Sequence, residues 1–530
     1  MCGDEAACVT VTSVSVTAPT PGGGALASLA LALRSRRTGA VVLQSFASGL
    51  PLGLVWYSIP DWMRDIGVDI RVVGLITLAQ APWTFKVLWS PLMDRYVPPF
   101  WGRRRGWMAV TQVALFALGL LLAGVGDRPE AIWVVGAVAL GVALASASQD
   151  IAIDAYAVEV LHTEEQGAAA GARTALYRAA LLVSGGLSIS LAARIGWPAV
   201  NVLLACVYLP MLVITWRSPE PEIPAPPPRT LREAVWQPFL SFLGRPQAME
   251  ILWFVVLYKL ADQLAQALTR PFLIDMGYGA DERGIALATI GVFATVVGAF
   301  VGGWVTTLAG LGHSLWIFGF LQLFSNLGYY VLAVIGGPNV PAMYAATGFE
   351  LLTSGMGTGA FSVLLLRLTE KRFSATQYAL FSSLFALPRV LAGPVTGFAV
   401  DAIGWPAFFL STMVVGVPGL LMLGRFVPFG VREPDFDTTL TRTPTAPVSG
   451  LAGPGLVSAI GLGIAGLLLL ATLDAMQAVR ATPDAGFLFG AALEHLLTPR
   501  DIGGWVTLAG LLACSLVGGM FVAALRARRA

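Results

Sequence analysis

Five charged residues, Asp150, Lys259, Asp262, Glu350 and Arg389, stand inside long apolar stretches of the sequence. An ionised group at the centre of an apolar spanning helix costs about 2.5–3.5 kcal/mol on insertion scales. Five of them together cost on the order of 12–17 kcal/mol, as much as the ~5–15 kcal/mol that holds a whole domain folded. Such groups must pair with one another, face water, or take up and release protons. The chemistry they offer is proton carriage and the holding of a polar solute.

Asp150 shares a helical face with Ser146 and Asp154, at intervals of four residues. As the deeper acid it is the first candidate for a transferred proton; Glu350 is the second, and Asp154 belongs to the same set. A structural hydrogen bond between helices is the competing reading of Asp150. Lys259, Asp262, Gln263 and Gln266 form a polar stripe at i, i+3, i+4 and i+7. Lys259 and Asp262 can neutralise each other on that face, while the two amides suit sugar hydroxyls. Glu350 stands above Thr353, Ser354 and Gly357 and could pair with Arg389, whose fork suits a carboxylate. Arg173, Tyr177 and Arg178 lie together, with Arg173 either in the cavity or at the inner surface. Gln44, Ser48, Gln149, Gln377 and Tyr378 add neutral hydrogen-bonding groups in greater number than charges, as a polar ligand needs.

Gly49 and Pro51 would loosen the first spanning helix, and carbonyls freed there must line a cavity or be satisfied again. Lys86 reads first as a side chain snorkelling to the inner interface. Asp94-Arg95 and the run Arg103-Arg104-Arg105 read first as inner-surface anchors and second as a charge-relay gate. His162, His313 and His495 all fall in loops, so proton coupling must rest on carboxylates. Cys2, Cys8, Cys206 and Cys514 have neither metal spacing nor a disulfide framework. There is no phosphate-cradling loop, no cofactor motif, no convincing nucleophile, and nothing that implies nucleic acid. The chemistry is not enzymatic.

These residues must be positioned by a membrane. Charged residues are 12% of the chain, about half the ~25% of soluble domains, and the mean hydropathy is +0.74. Fourteen apolar stretches are long enough to cross a ~30 Å hydrocarbon layer. They run over 38–59, 71–91, 106–125, 131–156, 167–193, 197–216, 249–275, 283–306, 313–336, 339–367, 374–401, 405–428, 451–478 and 502–525. The expected organisation is a disordered tail (1–37, whose Asp4 and Glu5 do not suit a signal peptide), a six-helix bundle (38–216) and a cytoplasmic linker (217–248). A second six-helix bundle (249–428), a linker (429–450) and two further spanning helices (451–530) follow. With both termini inside, inner loops hold roughly twenty Lys and Arg and outer loops about seven.

The halves look duplicated. Ile195-Gly196-Trp197-Pro198-Ala199 recurs as Ile403-Gly404-Trp405-Pro406-Ala407, and Gly67 and Gly74 recur as Gly277 and Gly284. Parallel six-helix repeats with a site between them are the major facilitator arrangement. The expected fold is an all-α polytopic membrane protein of that type, with two extra C-terminal helices.

Longer motifs sharpen this. Ser48-Gly49-Leu50-Pro51, the stretch 85–95 (FKVLWSPLMDR), 102–107 (GRRRGW), 149–155 (QDIAIDA), 373–380 (FSATQYAL) and 387–393 (LPRVLAG) resemble the muropeptide permease (AmpG) family of Gram-negative bacteria. The resemblance covers roughly residues 40–430. It implies a monomeric, proton-driven inner-membrane importer of anhydro-muropeptides, the sugar–peptide fragments of wall turnover. The family's sensitive positions fall on Gly49, Ala147 and Gln149. Acetyl-coenzyme A transporters are related, so import or export of a bulky anion is the second reading. A membrane-embedded receptor or lipid-processing enzyme is the third. The long tail and linkers depart from the family's pattern.

Overall fold

The computed structural model describes residues 34–529 except 70–72, 74–76, 223–225, 246, 435, 437–450, 482–485 and 500–501. Residues 1–33 of the expected tail, with Cys2 and Cys8, Gly74, and most of the second linker lie outside the described residues, while Arg36 and Arg37, expected in the tail, already belong to the first helix. Along the chain run α1 (Arg36–Asp65), α2 (77–95), α3 (Arg103–Val125), α4 (Pro129–Val160), α5 (Gln166–Ile195) and α6 (Trp197–Arg217). A linker helix (Leu231–Leu243) leads to α7 (Ala248–Asp275), α8 (Ala280–Ala309), α9 (Leu311–Ile335) and α10 (Val340–Leu368). Then come α11 (374–403), α12 (405–426), α13 (Ala452–Ala481) and α14 (Ile502–Arg529). Among the described residues twelve helices are long and apolar enough to cross a membrane. They coincide with twelve of the fourteen predicted spans. α11 is helical at one remaining position, and α2 at the other is a chain of short helical pieces, two of them opened by Pro82 and Pro91. The outer surface is apolar: Leu121, Trp133, Leu203, Val414 and Leu421 are each more than half exposed. That is the surface a bilayer covers.

The repeat has a conformational cause. Glycines with positive φ occur in pairs separated by 208 or 210 residues: Gly67 and Gly277, Gly102 and Gly310, Gly126 and Gly336, Gly196 and Gly404. Each pair ends or starts corresponding helices, where a side chain would be strained. The duplicated motifs also touch. Trp197 Nε1 donates to Asp65 Oδ2 at 3.4 Å, and Trp405 Nε1 donates to Asp275 Oδ2 at 3.0 Å. Each half thus pins the end of its first helix to the start of its sixth.

Pro51 removes the donor that would satisfy Ala47 O, and Tyr208 of α6 donates to that carbonyl instead at 3.3 Å. One turn earlier a closed ring ties α1, α3 and α6: Gln44 Nε2 to Thr215 Oγ1 (2.8 Å), Thr215 Oγ1 to Gln112 Oε1 (2.9 Å), and Gln112 Nε2 to Gln44 Oε1 (2.7 Å). Every polar atom in the ring has a partner, so its burial carries little penalty.

Across the halves α5 packs on α8 at backbone contact. A Cβ on Gly303 would lie 2.6 Å from Gly167 O and 2.6 Å from Gly171 Cα. Small residues four apart on both helices permit this approach. α13 and α14 form a hairpin with the same device, Gly519 lying against Gly455 and Ala459. The hairpin rests on Trp236 of the linker helix beside Gly455 and on Phe85 of α2 beside Gly510.

Gly303→Ala is expected to destabilise the protein by about 1–3 kcal/mol, since backbone on both sides must move. Thermal unfolding in detergent should show a lowered midpoint. Gly136→Ala, where nothing lies within 4 Å of the added carbon, should not lower it.

Candidate functional site

At one end of the bundle the two halves are locked by charge. Arg104 of α3, 3% exposed, donates to Asp94 Oδ1 (2.6 Å), Met93 O (3.1 Å), Glu159 Oε1 (2.8 Å) and Ser374 Oγ (2.7 Å). Asp94 in turn accepts from Thr376 N (2.9 Å) and Thr376 Oγ1 (2.7 Å), and from Ala375 N at 3.3 Å. A carboxylate of the first half therefore caps the N-terminus of α11 in the second, where unpaired N–H groups and the helix dipole favour an anion. Ser374 Oγ donates to Glu159 Oε1 (2.5 Å), and Arg103 Nη2 donates to the same oxygen at 2.7 Å. Arg103 also reaches Arg372 O and Lys371 O at 3.4 Å.

Only part of the expected gate belongs to this lock. Arg105 turns away, donating to Glu220, Trp216 O and Ser218 O within its own half and the linker. Arg95 lies over the Tyr96 ring instead. Successive helix residues point about 100° apart, so a run of basic residues cannot all serve one contact. Glu159, Ser374 and Thr376 were not anticipated; Glu159 continues the acid series of α4, and Ser374 to Thr376 open a helix.

Towards mid-depth in the first half, Asp154 sits between two cations. Arg173 of α5 donates to Oδ1, and Lys86 of α2 reaches Oδ2 at 3.4 Å. Lys86 is only 8% exposed and does not snorkel, because the broken α2 turns it inward. Arg173 is turned inward on Asp154 and not out to the surface, and Tyr378 of α11 lies close enough to interact with both. Asp150, one turn along α4, accepts from Ser48 Oγ of α1. Among the described residues no cation lies within ion-pair distance of it. Gln149 is fully buried with both amide atoms unpaired, as is Ser146 Oγ one turn away. Buried polar atoms are rarely left so.

The second half holds a separate cluster from α7, α9 and α10. Lys259 Nζ donates to Asp262 Oδ2 (3.0 Å) and Gln322 Oε1 (2.5 Å). Ser354 Oγ donates to Asp262 Oδ2 (3.0 Å), and Gln266 Nε2 donates to both Ser354 Oγ (3.0 Å) and Glu350 Oε1 (2.7 Å). Tyr329 OH reaches Glu350 Oε2 at 3.5 Å. Lys259 and Asp262 pair as expected. Gln322 and Tyr329 were missed, though each is a polar group in an apolar span. Gln263 is half-buried beside the cluster's helix face.

Four expected contacts move elsewhere. Gln44 is spent in the α1–α3–α6 ring, and Gln377 is saturated by Pro238 O, Ser241 Oγ and Glu370 N. Gly49 is a packing position: a Cβ there would lie 2.5 Å from Tyr177 O. Ala147 is fully buried and small. The side chain of Arg389 lies outside the described residues; among the described ones Gln266 and Tyr329 meet Glu350.

The opposite end of the bundle is open. A cleft of about 550 Å³ separates the halves there, lined by Tyr57 and Arg178 on one side and Arg270, Ile274, Arg283 and Leu287 on the other. The helices widen to single π-helical turns at 54–58, 183–187 and 285–290, and each of these contributes to the lining.

The Major Facilitator Superfamily profile matches residues 41–390. The anhydromuropeptide permease of Escherichia coli (strain K12) is 44% identical over 393 residues, 73% of this chain and 79% of that one. An uncharacterized protein of Haemophilus influenzae is 34% identical over 394 residues, 72% of this chain and 92% of that one. Among solved structures, the E. coli fucose:proton symporter superposes with TM-score 0.57 at 15% identity, covering 73% of this chain and 97% of its own. A bacterial homologue of the iron transporter ferroportin, in an outward-facing state, gives 0.55 at 12% identity, covering 74% and 99%. These two likenesses concern the fold alone. The duplicated helices, the gap between them and the close sequence relatives lead to one assignment: the chain belongs to the anhydromuropeptide permease (AmpG) family of the major facilitator superfamily.

Proposed function

We propose that this transporter imports anhydro-muropeptides, with or without their stem peptide, across the bacterial inner membrane in company with protons. The observation that carries the reading is the 44% identity over 393 residues to the E. coli anhydromuropeptide permease. In this reading both termini are cytoplasmic, as the basic residues of the loops favour. The Arg104 lock then closes the cytoplasmic side and the cleft opens to the periplasm. The chain acts as a monomer in the lipid bilayer, with Ser48, Gln149, Gln263 and Gln266 available to sugar hydroxyls and amides.

Charge balance orders the proton candidates differently from depth alone. Asp150 and Asp154 are matched in number by Lys86 and Arg173, whereas among the described residues Asp262 and Glu350 have one neighbouring cation, Lys259, which pairs with Asp262. Placing a proton on Asp154 would strand two buried cations, a costly state. Placing one on Glu350 strands none. Glu350 therefore comes first and Asp150 second. Glu350→Gln is expected to abolish uphill accumulation in energised vesicles while leaving substrate exchange intact. Retained accumulation in that variant, with loss in Asp150→Asn, would move the proton to Asp150.

The lock has its own test. Arg104→Gln removes the cation from buried Asp94 and Glu159, at a cost of about 3–5 kcal/mol for breaking a buried pair. The closed state should lose population. A cysteine at Ser382, one turn beyond Tyr378, should then react faster with an impermeant thiol reagent applied from the cytoplasmic side, in a background without native cysteines.

One observation favours a bulky anion such as acetyl-coenzyme A instead: three arginines line the cleft. Counterflow separates the two. Unlabelled anhydro-disaccharide without peptide should inhibit uptake of labelled muropeptide in proteoliposomes, and acetyl-coenzyme A should not. The reverse pattern overturns the substrate assignment.

A further inference from the structure

The α7–α9–α10 cluster holds one residue that its charges leave unexplained. Gln322 of α9 is buried; its Oε1 accepts from Lys259 Nζ at 2.5 Å, and its Nε2 has no hydrogen-bond partner among the described residues. An ammonium only donates, so the amide must turn its oxygen to Lys259 and its nitrogen away. The nitrogen then lies against Gly357 of α10, where an added Cβ would stand 1.4 Å from Nε2. Leaving a buried N–H unpaired costs about 1–3 kcal/mol, and this amide does so while delivering an oxygen to the lysine. The glycine is set apart from its neighbours in the same way. Gly355 and Gly359 face α8, where added carbons would lie 2.5 Å from Thr295 O and 3.5 Å from Ala299 O. Gly357 faces α9, and what it makes room for is the end of one flexible side chain.

Lys259 has need of such a guide. α7 breaks at Tyr258–Lys259, between a helical piece that ends at Leu257 and one that starts at Leu260, so regular helix geometry does not aim the lysine. Its acceptors are Asp262 Oδ2 at 3.0 Å, Gln322 Oε1 at 2.5 Å and, at 3.5 Å, Ser354 O. Glu350 stands one turn before Ser354 on α10, joined to it through Gln266, and is near enough to interact with both Asp262 and Lys259. An ammonium on a flexible four-carbon stem has three donors to place. Without Gln322, the charged acceptor left for the third is Glu350. Once the ammonium bridges both carboxylates, a proton taken by either acid breaks a buried ion pair. Held on Asp262, it leaves Glu350 to gain and lose a proton with no pair broken.

We propose that Gln322, seated against Gly357, is a positioning residue for proton coupling: it holds Lys259 on Asp262 and away from Glu350. The inference rests on the reading above, in which Glu350 carries the proton, and deepens it. Gly357 belongs to the same device, as the slot without which the amide cannot reach the lysine.

The test uses the full chain in proteoliposomes with labelled muropeptide, comparing uphill accumulation under a proton gradient with substrate exchange in its absence. Gln322→Leu is expected to lower accumulation about tenfold, the worth of one hydrogen bond to a charged group, with exchange little changed. Gly357→Ala should do the same, because its added carbon meets the amide and not backbone. Gly359→Ala, whose added carbon meets only ordinary contacts, should leave both readouts unchanged. The double variant Gly357→Ala with Gln322→Ala clears the clash, so its thermal midpoint in detergent should rise above that of Gly357→Ala while accumulation stays low. Recovered accumulation in that double variant would overturn the role of Gln322, as would Gln322→Leu protein that accumulates normally or loses accumulation and exchange in parallel. Accumulation retained by Glu350→Gln would instead remove Glu350 as the proton carrier, and the inference with it.

Discussion

Everything at the closed end depends on Asp94 having two kinds of partner at once. Its Oδ1 takes the Arg104 guanidinium, while its Oδ2 takes the N–H and hydroxyl of Thr376. The first contact neutralises a buried cation of the same half. The second satisfies the N-terminus of a helix from the other half, which lacks intrahelical partners of its own. Separating the halves would expose α11's first turn and leave Asp94, Arg104 and Glu159 to be rehydrated together. A contact of this kind opens as a unit, because half of it is worse than none. At the opposite end a cleft of about 550 Å³ separates the halves instead.

The two halves share a scaffold and differ in chemistry. Paired glycines at 67 and 277, 102 and 310, 126 and 336, 196 and 404 fix the same helix junctions twice. The Trp–Asp contact repeats with them. Inside that common frame the first half has two acids facing two cations across α2, α4 and α5. The second has two acids around one lysine across α7, α9 and α10. Duplication preserved the backbone where glycine conformation dictated it, and left the cavity side chains free to diverge.

Much of this was legible in the sequence, for physical reasons that also mark where legibility stopped. Span lengths follow from apolar composition, and the Ile-Gly-Trp-Pro-Ala repeat betrays duplication because its glycine conformation and its indole contact both require those residue types. The pairing of Lys259 with Asp262 is local, within one helical turn, and was readable for that reason. Lys86 was not: whether a lysine near a membrane surface snorkels or turns inward depends on the path of α2, which breaks into short turns. Gln44 and Gln377 were expected in the cavity because they are polar in apolar spans. Periodicity alone does not tell a ring of satisfied amides from a ligand site. Of the three cleft arginines, Arg270 and Arg283 sit near predicted helix ends, where positive charge looks ordinary, and Arg178 lies within the fifth predicted span. Only their convergence from α5, α7 and α8 makes them a feature.

Charge balance links the interior clusters to the proposed transport. Among the described residues, with every acid and base ionised, the α2–α4–α5 cluster is neutral and the α7–α9–α10 cluster carries one excess negative charge. In a low-dielectric interior that excess is the most expensive part of the arrangement. One proton removes it without breaking any ion pair. No histidine and no relay of acids is required for this, only a lysine paired with Asp262 and a second carboxylate, Glu350, held by neutral donors. On the proposed reading, a coupling of one proton then follows from counting charges across these seven side chains. The conformational change moves a neutral centre between two faces of the membrane.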